Sequence, residues 1–333
     1  MKITKKKLKQ LIVERLIAER KSDATYFNFL DFFFNEVLDL QKLNIYFAPP
    51  NHRTWENPLW QAYNPNGNPN EKVNKAFPGI ALAVKKQSVD SLWDSYQTYV
   101  PPESDAIFGG DEISFKNWIG KFQIGMIKAN PKGGIGLAGM APSGKMYIYN
   151  LDKLIPPNRL PEIVKSSSTA IKQTISDIFN NLKTNSPDRM MYALKQMMEH
   201  ELTHYINTIR AKGAVYRAKG GKRQFVSGSK EYFNSTEEIQ ANLIAAYRLF
   251  NRVSETYGKH LFEKKMWVYN ALNEGFIKGA AIGFIERFTY MKFPNLDRNN
   301  QKRVIKRVED FLKNDVANSE EYKAWQTSQI PEI

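Results

Sequence analysis

His200 and His204 enclose a glutamate in the run His200-Glu201-Leu202-Thr203-His204. On a helix, positions i and i+4 project from one face about a turn apart. Both imidazoles can then meet a single tetrahedral ion at ~2.0–2.1 Å, the length of a zinc–histidine bond. Glu201 follows the first of them and stands where a carboxylate can take a proton from water polarised by that ion. The chemistry such a trio serves is hydrolysis, with Glu201 as general base. The chain holds four histidines, His52, His200, His204 and His260, so two in one five-residue window is an informative concentration.

A catalytic zinc keeps three protein ligands and one open position, so a third ligand has to be found. His204 is followed by Tyr205-Ile206-Asn207-Thr208-Ile209-Arg210, which supplies no nearby histidine. His52 and His260 are candidates by element type. A glutamate on a later helix is the other solution, and the segment from Tyr232 to Ala241 opens such a helix with Glu237 and Glu238. Ser235-Thr236-Glu237-Glu238 also reads as a capping box, in which Glu238 would serve the helix end. With Asn234 as the cap instead, Glu237 takes that role and Glu238 is left for the metal.

The string HELTHY (200–205), a basic loop, and then Tyr232-x-Asn-Ser-x-x-Glu238-Ile-x-Ala241 together resemble the glutamate-zincin pattern of small phage and bacterial metallopeptidase-like proteins. The resemblance spans roughly residues 186–250. It implies a zincin-type fold, a Zn²⁺ ion held by His200, His204 and Glu238, and Glu201 as the catalytic base. The first twenty residues are similar to the leaders of tailed marine phage proteins. In some of those the leader is trimmed after Ile-x-Glu, a pattern matched by Ile12-Val13-Glu14 and Ile17-Ala18-Glu19.

The elements that must position these groups can be read from periodicity. Ser186-Pro187-Asp188 is a helix start, and Leu194, Met197, Met198, Leu202 and Tyr205 continue an apolar stripe, which sets the histidines deep in a helix of about six turns. Short β-like pieces at 122–128, 134–140 and 145–150 predict a small mixed sheet, with Pro142-Ser143-Gly144 as a hairpin turn. The 134–140 strand is a candidate edge for pairing with an extended peptide. Tyr26, Phe27, Leu30, Phe33, Phe34, Val37 and Leu38 mark an aromatic-rich helix, and Ile171, Ile175, Ile178, Phe179 and Leu182 another. Residues 49–78 read as a long irregular connection. Between Asn273 and Tyr290, Gly275, Gly279, Ala280, Ala281 and Gly283 predict close helix packing. The expected class is therefore α+β and zincin-like: a small sheet on the active-site helix, a helical N-terminal lobe and helical C-terminal part. The expected organisation is an arm over 1–21, a helical and irregular lobe over 22–118, and a metallopeptidase domain over 119–333.

Composition bounds the function. The absence of cysteine excludes disulfides, thiolate-held zinc and a cysteine nucleophile. No apolar run approaches the ~20 residues of a membrane span, and the N-terminal stretch lacks a secretory apolar core. A cytoplasmic or virion-associated protein without a membrane partner is the expectation. The formal charge of +14 is concentrated. Residues 1–21 hold eight Lys/Arg against two Glu, residues 206–230 seven against none, and residues 287–313 eight against three. The first two segments suit an acidic substrate, nucleic acid or a virion partner. Tyr216 and Tyr232 are candidates to support an oxyanion. Three readings follow: a zinc endopeptidase; a virion-associated or partner-binding protein on an inactive or structural zincin scaffold; and a protease working on nucleic acid.

Overall fold

Three consecutive phenylalanines, Phe32, Phe33 and Phe34, are all buried, which a regular helix cannot arrange on one narrow face. The chain answers by widening. A helix over residues 23–32 (α1) passes into a π-helical turn at Phe33–Val37, closed by the Leu38 amide bonding to the Phe33 carbonyl at 3.2 Å. Tyr26, Phe29 and Leu30 are buried as well, so this segment is enclosed over a wide arc and all three rings reach core.

The computed structural model describes residues 23–48, 79–126, 137–140, 145–155, 158–159, 168–184, 188–210, 234–257 and 259–329. The N-terminal arm, the 49–78 connection, the 142–144 turn, and residues 211–230 of the basic 206–230 segment lie outside them, while its first five residues, 206–210, are helical. The protein is α+β, mostly helical, with one mixed five-stranded sheet. Its residues divide into two compact units, 1–186 with 190–221 and 187–189 with 222–333. Among the described residues no helix is long and apolar enough to cross a membrane.

The first unit holds the sheet. Strands β1 (Leu43–Ala48), β2 (Gly79–Val84), β3 (Gln123–Met126), β4 (Ala138–Met140) and β5 (Lys145–Ile148) lie in the order β1-β2-β3-β5-β4. The pair β3–β5 is parallel and the other three pairs are antiparallel. The sheet expected from residues 120–150 is present and mixed. It is larger than expected, because the segment read as a helical N-terminal lobe contributes β1 and β2. Helices α2 (Val89–Tyr99), α3 (Glu112–Ile119), α4 (Ser168–Lys183) and α5 (Arg189–Arg210) complete the unit.

A run of aromatic rings fixes α5 against this body. Phe32 meets Tyr96 of α2 at 5.3 Å, Tyr96 meets Phe115 of α3 at 4.8 Å, and Phe115 meets Trp118 at 5.6 Å. Trp118 and Phe122 then reach Tyr205 of α5, at 6.3 and 6.4 Å. Tyr26 of α1 adds a hydrogen bond from its hydroxyl to the Asn207 side chain. Edge-to-face and tilted ring pairs add direction to apolar burial, so α5 is held in rotation as well as in place.

The second unit is helical, with α6 (Thr236–Arg252), α7 (Lys259–Asn273), α8 (Ile277–Phe288), α9 (Arg298–Phe311) and α10 (Glu320–Ser328). Phe250 lies at its centre, 5.2 Å from Phe284 and 5.0 Å from Phe288, while Tyr247 stacks on Phe311 at 4.1 Å. The glycines of α8 serve rings as well as backbones. A side chain at Gly283 would collide with Trp267, whose indole is also covered by the Arg287 guanidinium at 4.0 Å. The close packing expected between 273 and 290 is thus in part a flat seat for an aromatic side chain.

Candidate metal centre

Helix α5 is amphipathic, and its two faces divide the HELTH run. Leu202 and Thr203 are fully buried, Thr203 turning its hydroxyl onto the Glu199 carbonyl at 2.7 Å. The opposite face carries His200, Glu201 and His204. The Nε2 atoms of the two histidines are 3.1 Å apart. Two nitrogens bound to one tetrahedral zinc at ordinary bond lengths stand about 3.3 Å apart, so the pair fits that ion with little adjustment.

His200, His204 and Glu238 form a group that could hold a metal ion: each offers one ligand atom, and these atoms all lie within 4.8 Å of one another. Two imidazoles and one carboxylate are a donor set that zinc accepts.

The local structure around Glu238 resolves the choice of cap. The side chain of Asn234 is engaged elsewhere: its Oδ1 accepts from the Asp297 amide at 2.7 Å and from the Asn300 side chain at 3.1 Å, and its Nδ2 donates to the Asn295 carbonyl. Ser235 is therefore the cap of α6, and its hydroxyl accepts from the Glu238 amide at 3.2 Å. The alternative with Asn234 as cap is corrected, and Glu238 is the third residue of the helix. Its carboxylate also has a partner within the helix. Asn242, one turn on and buried, donates from a single Nδ2 to the Glu238 Oε1 at 2.8 Å and to the Glu238 carbonyl at 3.0 Å. This fork holds one carboxylate oxygen, in the manner of an outer residue orienting a metal ligand.

Glu201 is held from the sheet. Its Oε2 accepts from the Met140 amide at 3.0 Å, and four residues earlier on α5 the Met197 sulfur accepts from the Leu137 amide at 3.3 Å. Helix α5 thus runs along β4, the last strand of the sheet. Because the Leu137 carbonyl accepts from Tyr149, the ladder alternates so that Gly139 faces β5 while Ala138 and Met140 face away from it. Of the strand expected over 134–140, residues 138–140 form the last strand of the sheet among the described residues. Glu201 occupies the Met140 amide, and the other outward groups are those of Ala138 and the Met140 carbonyl.

The remaining sequence candidates fall apart from this cluster. His260 is exposed near the start of α7 and is not in the group; desolvation first, then the charges of Lys264 and Arg189, hold its pKa below the ordinary histidine value. Glu237 is also outside it. His52, Tyr216 and Tyr232 lie outside the described residues. Two residues that the sequence did not single out are Asn242 and Tyr149. Asn242 had a legible signal, being four residues after Glu238 on the same helical face. Comparison with protein-family models, with curated proteins and with solved structures finds no match.

Proposed function

We propose that this chain is a zinc-dependent metallopeptidase in which His200, His204 and Glu238 hold the ion and Glu201 acts as general base. The observation that carries the reading is the convergence of a two-imidazole, one-carboxylate group with a glutamate anchored to the last strand of the sheet among the described residues. When bound, zinc supplies a Lewis acid that polarises the scissile carbonyl and acidifies water.

The chain's own residues account for the rest. Glu201 follows His200 directly, so a carboxylate stands beside the ion-binding face of α5, and the Met140 amide fixes its rotamer. In hydrolysis Glu201 takes the proton that water loses as its oxygen bonds to the peptide carbon. It returns that proton to the nitrogen as the carbon–nitrogen bond breaks. The outward amide and carbonyl of Ala138, with the carbonyl of Met140, suit an extended peptide laid along β4, which would bring a backbone carbonyl past Glu201. Asn242 keeps Glu238 directed at the histidines. The resemblance to glutamate zincins points the same way.

The test is bound zinc and cleavage of a degenerate peptide library, for wild type and Glu201→Gln. The expected result is one zinc per chain in both proteins and cleavage in the wild type alone. Zinc without cleavage would favour an interaction protein on a structural metal site, and a protein that binds no zinc would overturn the reading altogether.

A further inference from the structure

The tyrosine that follows β5 reaches across the sheet to the strand that anchors Glu201. Tyr149 is paired with Leu137 through its backbone, yet its ring leans diagonally over Gly139, two residues further along β4. An ideal Cβ built on Gly139 would lie 3.0 Å from the Tyr149 hydroxyl and 3.0 Å from its ring carbon Cε2. Such a diagonal reach is within the span of an aromatic side chain, and here it depends on the missing side chain of Gly139. The ring is steadied by Tyr147 beneath it, with centroids 6.0 Å apart and planes 5° from parallel. The next residue of the edge strand, Met140, is the one whose amide holds Glu201. The phenol tip and the base carboxylate therefore meet the same step of β4, one over Gly139 and the other at the outward amide of Met140.

A peptide laid along that edge would pass both groups, and the carbonyl attacked by water gathers negative charge on its oxygen as the carbon–oxygen bond of the adding water forms. We infer that Tyr149 donates a hydrogen bond to that oxygen, as a catalytic residue of the same site. The inference rests on the metallopeptidase reading. Tyr149 keeps its proton throughout; the proton released by water travels through Glu201 to the departing nitrogen. Burial, then the charge of Glu201, then Tyr147 push the phenol's pKa well above its ordinary value of 10, so the group stays protonated and keeps a hydrogen to donate. A preorganised donor aimed at developing charge is worth more in the transition state than in the ground state.

The experiment compares wild type, Tyr149→Phe, Gly139→Ala and the double variant on the best peptide from the degenerate library. Tyr149→Phe keeps the ring over Gly139 and on Tyr147, so fold and bound zinc should match wild type. The expected result is a fall in kcat of about 100-fold with KM within about twofold. In a Glu201→Gln background, which leaves the peptide intact, Tyr149→Phe should leave the peptide's Kd unchanged, a split that a merely structural role would not produce. Gly139→Ala should also lower kcat by displacing the phenol, and the double variant should show no further loss beyond Tyr149→Phe. If the wild type cleaves and Tyr149→Phe retains kcat within twofold, the role of Tyr149 is overturned while the metallopeptidase reading stands. If zinc-loaded wild type cleaves nothing in the library, that reading fails and the role of Tyr149 falls with it.

Discussion

The backbone amide of Met140 donates to Oε2 of Glu201 at 3.0 Å, tying the proposed general base to β4. Met140 faces away from β5, so its amide is spare in the ladder and a proline there removes no strand pairing. A hydrogen bond to a charged acceptor is worth about 1.5–3 kcal/mol, which corresponds to roughly 10–100-fold in rate if all of it is expressed in positioning. Met140→Pro should lower kcat by about that factor while bound zinc is unchanged, and Met140→Ala should stay within about twofold of wild type. Equal rates for the two variants would show that the amide does not position Glu201.

Asn242 and Glu238 form the second such pair, and here the readout is the metal. Loss of an outer residue that orients a ligand typically weakens metal affinity by about 10–100-fold. Competition with a chelator should give a loss of that size for Asn242→Ala, and a larger loss for Glu238→Ala or His204→Ala. Zinc at about 100 times its Kd should stabilise the wild type by ~2.7 kcal/mol, seen as a rise in Tm that His204→Ala abolishes. An Asn242→Ala protein with wild-type zinc affinity would assign the asparagine to helix packing alone.

Local pattern made the candidate ligand group legible and left the sheet half read. His200 and His204 were readable because one helical turn is a fixed distance; Glu238 came from the resemblance, and the cap read as leaving it free, Asn234, is not the cap of α6. The three strands between 123 and 148 announce themselves by short β-rich runs between glycines. Strand β2, from Gly79 to Val84, is a short apolar run that periodicity alone cannot tell from buried helix. Its antiparallel partner β1 lies more than thirty residues upstream, so the pairing of Leu43 with Val84 is a tertiary fact. Tyr149 was equally invisible. Its position depends on the register of β4 against β5, and one residue of slip would turn its ring to the other face.

Asp105 is a buried carboxylate whose work is structural. Its Oδ1 accepts from the amides of Ile107 at 2.8 Å and Phe108 at 3.0 Å and from the Tyr96 hydroxyl at 2.8 Å, and its Oδ2 accepts from the Gly110 amide at 3.1 Å. Removing it strands amides in the turn that orders the approach to α3. Asp105→Ala should cost about 3–5 kcal/mol in chemical denaturation and Tyr96→Phe about 1–2 kcal/mol. Burial, then Asp105, raise the Tyr96 pKa far above 10, so the folded protein holds a proton that the unfolded chain loses above pH 10. Stability should therefore fall as pH rises past 10, and less steeply in Tyr96→Phe. Identical slopes would mean that Tyr96 does not contribute to the alkaline loss.

Lys265 gives the opposite sign. It is fully buried in α7, with its ammonium 2.8 Å from the Val253 carbonyl, 2.7 Å from Glu321 of α10, and 5.2 Å from the Phe250 ring centre. Desolvation lowers its pKa below 10.5, against the opposing pull of Glu321. The unfolded chain thus binds the proton more tightly, and stability gains with pH from the depressed folded value up to about 10.5. A buried ion pair is easily replaced but badly broken. Lys265→Met should hold within about 1 kcal/mol of wild type or exceed it, whereas Glu321→Ala leaves the ammonium short of its counter-charge and should cost about 1–3 kcal/mol. The gain with pH should be present in wild type and lost in Lys265→Met. Denaturation curves from pH 7 to 10.5 check both, and a Lys265→Met protein less stable than Glu321→Ala would show that the lysine contributes more through its contacts with Val253 and Phe250 than its buried charge takes away.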